Sequence, residues 1–170
     1  MLVGGRLRKL NLEQLRPNLY PTYLLDKCDS GLCLFGAGFY GANDAIHMYN
    51  AGLDFVSVVD SDDEKVKVME AMYPHRWSFL TSDVTTWVPN VANNSFLNWD
   101  IVSVDSPTNM FSWVIDNLGV IAKLSNKYVV VTMHTEVADL CRIPEWELVT
   151  VMNRSLSGLV ELLVFKWVGA

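Results

Sequence analysis

The sequence predicts a doubly wound α/β domain built on a mainly parallel sheet, and three observations carry that prediction. From Leu32 onward, short apolar runs alternate with segments of helical periodicity. A glycine-rich turn, Gly36-Ala37-Gly38-Phe39-Tyr40-Gly41, follows the first of these runs. The chain closes on two strand-like segments joined by Arg154-Ser155-Leu156-Ser157-Gly158. That loop is too short for a crossover helix, so the pair must be antiparallel.

Residues 1–30 read as an N-terminal arm. Pro17, Pro21 and a scatter of Leu and Tyr lack a clear period, with a short helix expected around Leu12 to Leu15 and the arm covering one edge of the core. Residues 31–170 then form a single domain. Leu32 to Phe35 is the first strand. Ala42 to Tyr49 is apolar at helical spacing and stops at Asn50-Ala51-Gly52. Phe55 to Val59 is the second strand. Ser61 with Glu64 reads as a capping box, and Val66, Met69, Met72 and Tyr73 mark one helical face behind it. Trp77 to Leu80 is the third strand. Thr85 to Phe96 holds Pro89 and reads as a short helix or a loop. Ile101 to Val104 is the fourth strand. Met110 to Leu124 is the longest amphipathic helix, with Phe111, Val114, Ile115, Leu118 and Ile121 inward, and Tyr128 to Thr132 is the fifth strand. In the tail, Leu159 to Val168 is apolar on both faces and belongs inside a sheet. Leu148 to Met152, flanked by Glu147 and Asn153, suits an edge.

A chain of 170 residues, 51% hydrophobic and 19% charged, suits one domain with a well-covered core. Its net charge of −6 argues against a nucleic-acid partner. The one basic cluster, Arg6, Arg8 and Lys9, reads as a solvated tail. Three cysteines without metal-ligand spacing, Cys28, Cys33 and Cys141, read as free thiols of a reducing compartment. No segment reads as a signal peptide or a membrane span, so the expected location is cytoplasmic. Homo-oligomerisation is left open.

The chemistry concentrates at the strand ends. The glycines of the turn allow backbone N–H groups to approach a ligand closely. Asp60 closes the second strand about 20 residues beyond Gly38, where an acid can accept both hydroxyls of a ribose. With Ser61 taken as the helix cap, Asp60 is left free for that task. Asp83 follows the third strand, and Asp105 the fourth in Val104-Asp105-Ser106-Pro107. Each acid alone reads as an ordinary N-cap; together they set negative charge along one rim. His134 follows the fifth strand and is a candidate base, with a satisfied loop histidine as the plain alternative. His134 and Glu136 are too few to hold a metal, so none is expected. His47 reads as solvated, His75 as a turn residue, and Trp87, Trp99 and Trp113 as core.

From Leu32 to Val168 this pattern resembles the class I S-adenosylmethionine-dependent methyltransferases. The resemblance implies a Rossmann-like seven-stranded sheet of order 3-2-1-4-5-7-6, parallel except for an antiparallel last strand. It implies S-adenosylmethionine as cofactor. The turn (Gly36, Ala37, Gly38, Tyr40, Gly41) would hold the amino-acid half, Asp60 and Ser61 would lie at the ribose, and Asp83 with the backbone of Val84 at the adenine. The loop after the fourth strand would place Asp105 beside both the cofactor and the methyl acceptor, as a cofactor-binding and catalytic candidate, with His134 across the rim as a second catalytic candidate. That loop lacks the Asn/Asp-Pro-Pro-aromatic signature of amino-directed DNA methyltransferases, and the chain has no Pro-Cys nucleophile. With no inserted substrate domain, a small-molecule acceptor is expected. Two rival functions use the same residues: an NAD-dependent oxidoreductase, against which Asp83 and the terminal hairpin speak, and a non-catalytic methyltransferase-like binding module.

Overall fold

The structure is a computed structural model, and it describes residues 19–38, 42–94, 97–155 and 157–169. The arm helix expected at Leu12 to Leu15, the basic cluster, and Tyr40 and Gly41 of the turn lie outside the described residues.

The described strands form one seven-stranded sheet in the order β3-β2-β1-β4-β5-β7-β6. They are β1 (Ser30–Leu34), β2 (Phe55–Asp60), β3 (Ser78–Thr81), β4 (Trp99–Val104), β5 (Ser125–His134), β6 (Trp146–Asn153) and β7 (Val160–Trp167). The first five are parallel, and β7 runs antiparallel between β5 and β6. The expected topology is therefore observed. The central strands have side chains buried on both faces, which is why they read as continuous apolar runs.

Helices cover each face. α2 (Ala42–Asn50) and α3 (Asp63–Met72) bury Ala45, Met48, Val66 and Met69 against Cys33, Val58, Ile101 and Val130. The four-residue α1 (Thr22–Leu25) adds Leu24 and Leu25 there, with Tyr20 just before it. α4 (Val84–Asn94), α5 (Phe111–Ala122) and the short α6 (Thr135–Ala138) bury Val88, Val114, Leu118 and Ile121 on the other face, against Leu32, Val102, Val129 and Phe165. β7 feeds both cores, with Leu162 and Val164 in one and Leu163 and Phe165 in the other. Its neighbour β6 is largely exposed, as an edge strand should be.

Several boundaries differ from expectation for local reasons. Phe35 is not the end of β1: its φ of 57° places it in the left-handed region, and the strand stops at Leu34. The third strand starts at Ser78, because Trp77 stacks on Tyr73 at 5.0 Å, outside the ladder. Thr85 to Phe96 resolves as a helix from Val84 to Asn94. It continues through Pro89, which lacks one helical N–H donor. β5 begins at Ser125, before its apolar run, because Ser125 pairs with Trp99. Trp167, expected on an inner face, is exposed. His47 is not simply solvated; its ring stacks on Tyr20 at 5.4 Å. Trp99 is buried, and Trp87 and Trp113 pack partly buried against the same core.

Candidate functional site at the strand ends

A cleft of about 580 Å³ opens where β1, β2, β3 and β4 end. Its volume falls within the range of small-molecule sites, roughly 300–1,000 Å³. Four stretches form its wall. Phe35 and Gly38 come from the turn after β1, Asp60, Ser61, Asp62 and Lys65 from the β2–α3 junction, and Asp83 and Val84 from the start of α4. The loop after β4 closes it with Asp105, Ser106, Pro107, Asn109 and Met110. The sheet order makes this convergence unavoidable. β1 and β4 are neighbours whose crossovers leave on opposite faces, so their carboxyl ends splay a crevice between them.

The glycine turn is fixed from both sides. A Cβ on Gly36 would meet the Cys33 carbonyl at 2.8 Å and its Cβ at 2.7 Å, so only glycine fits. Gly38 is different: no atom of the described residues lies within 4 Å of where its Cβ would stand, and it lines the cleft. Phe35 lines the cleft beside it and packs edge-on against Trp113, with centroids 6.3 Å apart. Ala37 is buried, and its N–H donates to Asp60 Oδ2 at 3.0 Å.

Asp60 is not free, as the sequence suggested. Its other oxygen, Oδ1, accepts the Asp62 N–H at 3.1 Å, so one carboxylate ties the glycine turn to the start of α3. Nor is Ser61 the cap of α3. Asp62 takes that role, accepting the Lys65 N–H at 3.2 Å. A Ser-x-x-Glu reading and an Asp-x-x-Lys reading compete one residue apart, and the charged Asp62 side chain takes the N-cap position, where the helix dipole favours an anion. Ser61 remains in the cleft wall, and Asp62 and Lys65 join it, their charged groups 3.6 Å apart. Sequence reasoning missed both; an Asp immediately before Asp63-Glu64 was the available signal.

Asp83 does cap its helix: Oδ1 accepts the Thr85 N–H at 2.9 Å and its hydroxyl at 2.7 Å, and the residue still faces the cleft. Val84, the first residue of α4, is buried beneath it. Asp105 does not cap α5, the helix that follows it. Among the described residues no side chain caps the 3₁₀ turn Thr108–Met110 or α5 behind it. The Ser106 hydroxyl is buried in the cleft wall without a hydrogen-bond partner among the described residues. His134 ends β5, but it is not part of the cleft wall; its ring meets Phe111 edge-on at 5.0 Å. The structure thus gathers Gly38, Asp60, Ser61, Asp83, Val84 and Asp105 in one cleft, with Gly36 and Ala37 shaping the turn behind it.

Four carboxylates against one ammonium make the cleft acidic. Such a site favours cationic and hydroxyl-bearing ligands and opposes a pyrophosphate. Among the described residues no three His, Cys, Asp or Glu side chains are grouped to hold a metal, and no helix is long and apolar enough to cross a membrane. The three cysteines are buried and unpaired by disulfide, and burial pushes the Cys28 thiol up to about 12 and that of Cys141 to about 11.

No protein-family model and no curated protein matches the chain by sequence. Solved structures do match. An O-methyltransferase from Bacillus cereus in complex with S-adenosylhomocysteine is 10% identical at a TM-score of 0.63, over 95% of this chain and 86% of that one. The O-methyltransferase TomG from Streptomyces achromogenes, in complex with S-adenosylmethionine, is 14% identical at 0.62, over 87% and 78%. Aeropyrum pernix fibrillarin with natively bound S-adenosyl-L-methionine is 10% identical at 0.57, over 81% and 66%. With the strand order, the antiparallel β7 and the glycine turn in place, the chain has the fold of the class I S-adenosylmethionine-dependent methyltransferases.

Proposed function

We propose that this protein is an S-adenosylmethionine-dependent methyltransferase acting on a small-molecule acceptor. The observation that carries this is the acidic cleft at the carboxyl ends of β1 to β4, in a fold whose solved examples hold S-adenosylmethionine or S-adenosylhomocysteine. A sulfonium and a ribose diol suit four surrounding carboxylates; the pyrophosphate of a nicotinamide dinucleotide does not. The open space at Gly38 and the orphaned Ser106 hydroxyl also fit a polar ligand lying along the ends of β1 and β4.

In this reading Gly36 and Gly38 let the backbone approach the amino-acid half. Asp60 accepts from the ribose hydroxyls, with Ser61 beside it, and Asp83 with the Val84 backbone meets the adenine. The cofactor supplies an activated methyl group. Asp105 orients the acceptor, standing in the cleft wall on the loop after β4. The remaining task of the chain is to align the two partners and exclude water, the main source of acceleration in such a displacement. The acidic cleft also opposes phosphate, which supports a small acceptor over nucleic acid. Calorimetric titration with S-adenosylhomocysteine and with NAD tests the reading. Binding of the first alone is expected; binding of NAD alone, or of neither, would overturn it.

A further inference from the structure

Outside the cleft wall the structure holds a buried charged pair that the proposed chemistry does not use. Arg154, in the loop between β6 and β7, is fully buried and forms an ion pair with Asp44, itself 2% exposed, in the first turn of α2. The guanidinium also donates to Thr132 Oγ1 at 2.7 Å, near the end of β5. It sits 5.9 Å from the centre of the Tyr20 ring, whose hydroxyl bonds Ser103 on β4. Its Nε–H has no acceptor among the described residues. Burial works against the Arg154 charge, but Asp44 and then Asp105 outweigh it and hold its pKa above the ordinary guanidinium value.

Net stability is a weak reason for this pair. Two charges taken out of water often recover little, and well-packed apolar residues of similar volume often replace them without loss. Its position supplies another reason. Asp44 stands in the first turn of the helix that follows Gly36 and Gly38, where backbone N–H groups favour an anion. An uncompensated Asp44 would repel a carboxylate brought to that turn. In the low-dielectric interior that repulsion is poorly screened.

We propose that Arg154 is a positioning residue for the carboxylate end of the cofactor, acting by cancelling the charge of Asp44. This rests on the reading that Gly36 and Gly38, just ahead of α2, bring the backbone to the amino-acid half of S-adenosylmethionine. The ligand discrimination follows directly. S-adenosylhomocysteine carries the carboxylate; 5′-methylthioadenosine has the same adenosine and sulfur but lacks the amino acid.

The test is titration of the full chain with both ligands. Arg154→Met should weaken S-adenosylhomocysteine by about tenfold and leave 5′-methylthioadenosine within about twofold. Asp44→Asn, which leaves the cation uncompensated, should bind S-adenosylhomocysteine as tightly as wild type or more so. Should Arg154→Met not fold, the double variant Asp44→Asn/Arg154→Met, with both charges removed, should hold S-adenosylhomocysteine within about threefold of wild type. The proposal is overturned if a folded Arg154→Met weakens both ligands equally or neither, or if Asp44→Asn or the double variant loses S-adenosylhomocysteine by about tenfold. Wild type binding neither ligand would instead overturn the cofactor reading on which the proposal rests.

Discussion

Asp60 accepts the Ala37 amide at 3.0 Å and the Asp62 amide at 3.1 Å, so a single carboxylate holds the glycine turn against the start of α3. Its role is therefore double: it builds the cleft wall and offers its charge to whatever lies there. Asp60→Ala should lower the melting temperature, since charge-assisted hydrogen bonds contribute roughly 1.5–3 kcal/mol. It should also weaken S-adenosylhomocysteine by a similar free energy. A folded Asp60→Ala with wild-type affinity would remove Asp60 from the ribose site.

The two glycines of the turn should separate stability from binding. Gly36→Ala forces a methyl against the backbone of Cys33, which must cost about 1–3 kcal/mol as overpacking does. Gly38→Ala meets no atom of the described residues and should leave thermal stability near wild type. Because Gly38 lines the cleft, the same methyl should still reduce cofactor affinity. Differential scanning fluorimetry with and without S-adenosylhomocysteine reads both effects. A loss of stability in Gly38→Ala equal to that in Gly36→Ala would show that the turn tolerates neither residue for folding reasons alone.

The sequence made the sheet legible because β1, β2, β4, β5 and β7 bury side chains on both faces, leaving few other readings of those apolar runs. The rim carboxylates were legible because strand ends follow from the strands. What was lost lies where several acids crowd one helix start: Asp60, Ser61, Asp62 and Asp63 differ too little in capping preference for spacing to choose among them. Arg154 was illegible for another reason. Nothing within Arg154-Ser155-Leu156-Ser157-Gly158 marks it for burial, and its partner Asp44 lies 110 positions away. Only the sheet order brings the two together.

The thiols give the alkaline limb of stability a definite sign. Cys28 and Cys141 have folded pKa values of about 12 and about 11, above the ordinary value of 9.0. Desolvation by burial is the main cause in both. Between pH 9 and those values the unfolded chain gives up protons that the folded chain keeps. The stability is therefore complete below pH 9 and is lost as pH rises towards 11 and 12. The melting temperature should fall across that window, and Cys28→Ala should flatten the fall. At pH 8 the folded protein should resist iodoacetamide while the denatured protein reacts at all three cysteines. Rapid labelling of the folded state at pH 8 would contradict this.

Asp105 follows β4 and His134 ends the neighbouring β5, yet they stand in different surroundings. Asp105 is in the cleft wall, beside the orphaned Ser106 hydroxyl and Asn109, and it does not cap α5. His134 packs edge-on against Phe111 and is not among the residues of that wall. If the acceptor is held by the loop after β4, removing its carboxylate should affect transfer far more than cofactor binding, because orientation is needed chiefly in the transition state. Asp105→Ala should lower methyl transfer by about a hundredfold or more, while S-adenosylhomocysteine affinity changes by less than about threefold. His134→Ala should leave transfer within about twofold, as expected for a packing residue rather than a base. The measurement is transfer of radiolabelled methyl from S-adenosylmethionine to a panel of small phenols, amines and carboxylic acids. Equal losses in both variants would place the acceptor between the two loops and make His134 part of the site. A loss confined to His134→Ala would move the acceptor away from Asp105 altogether.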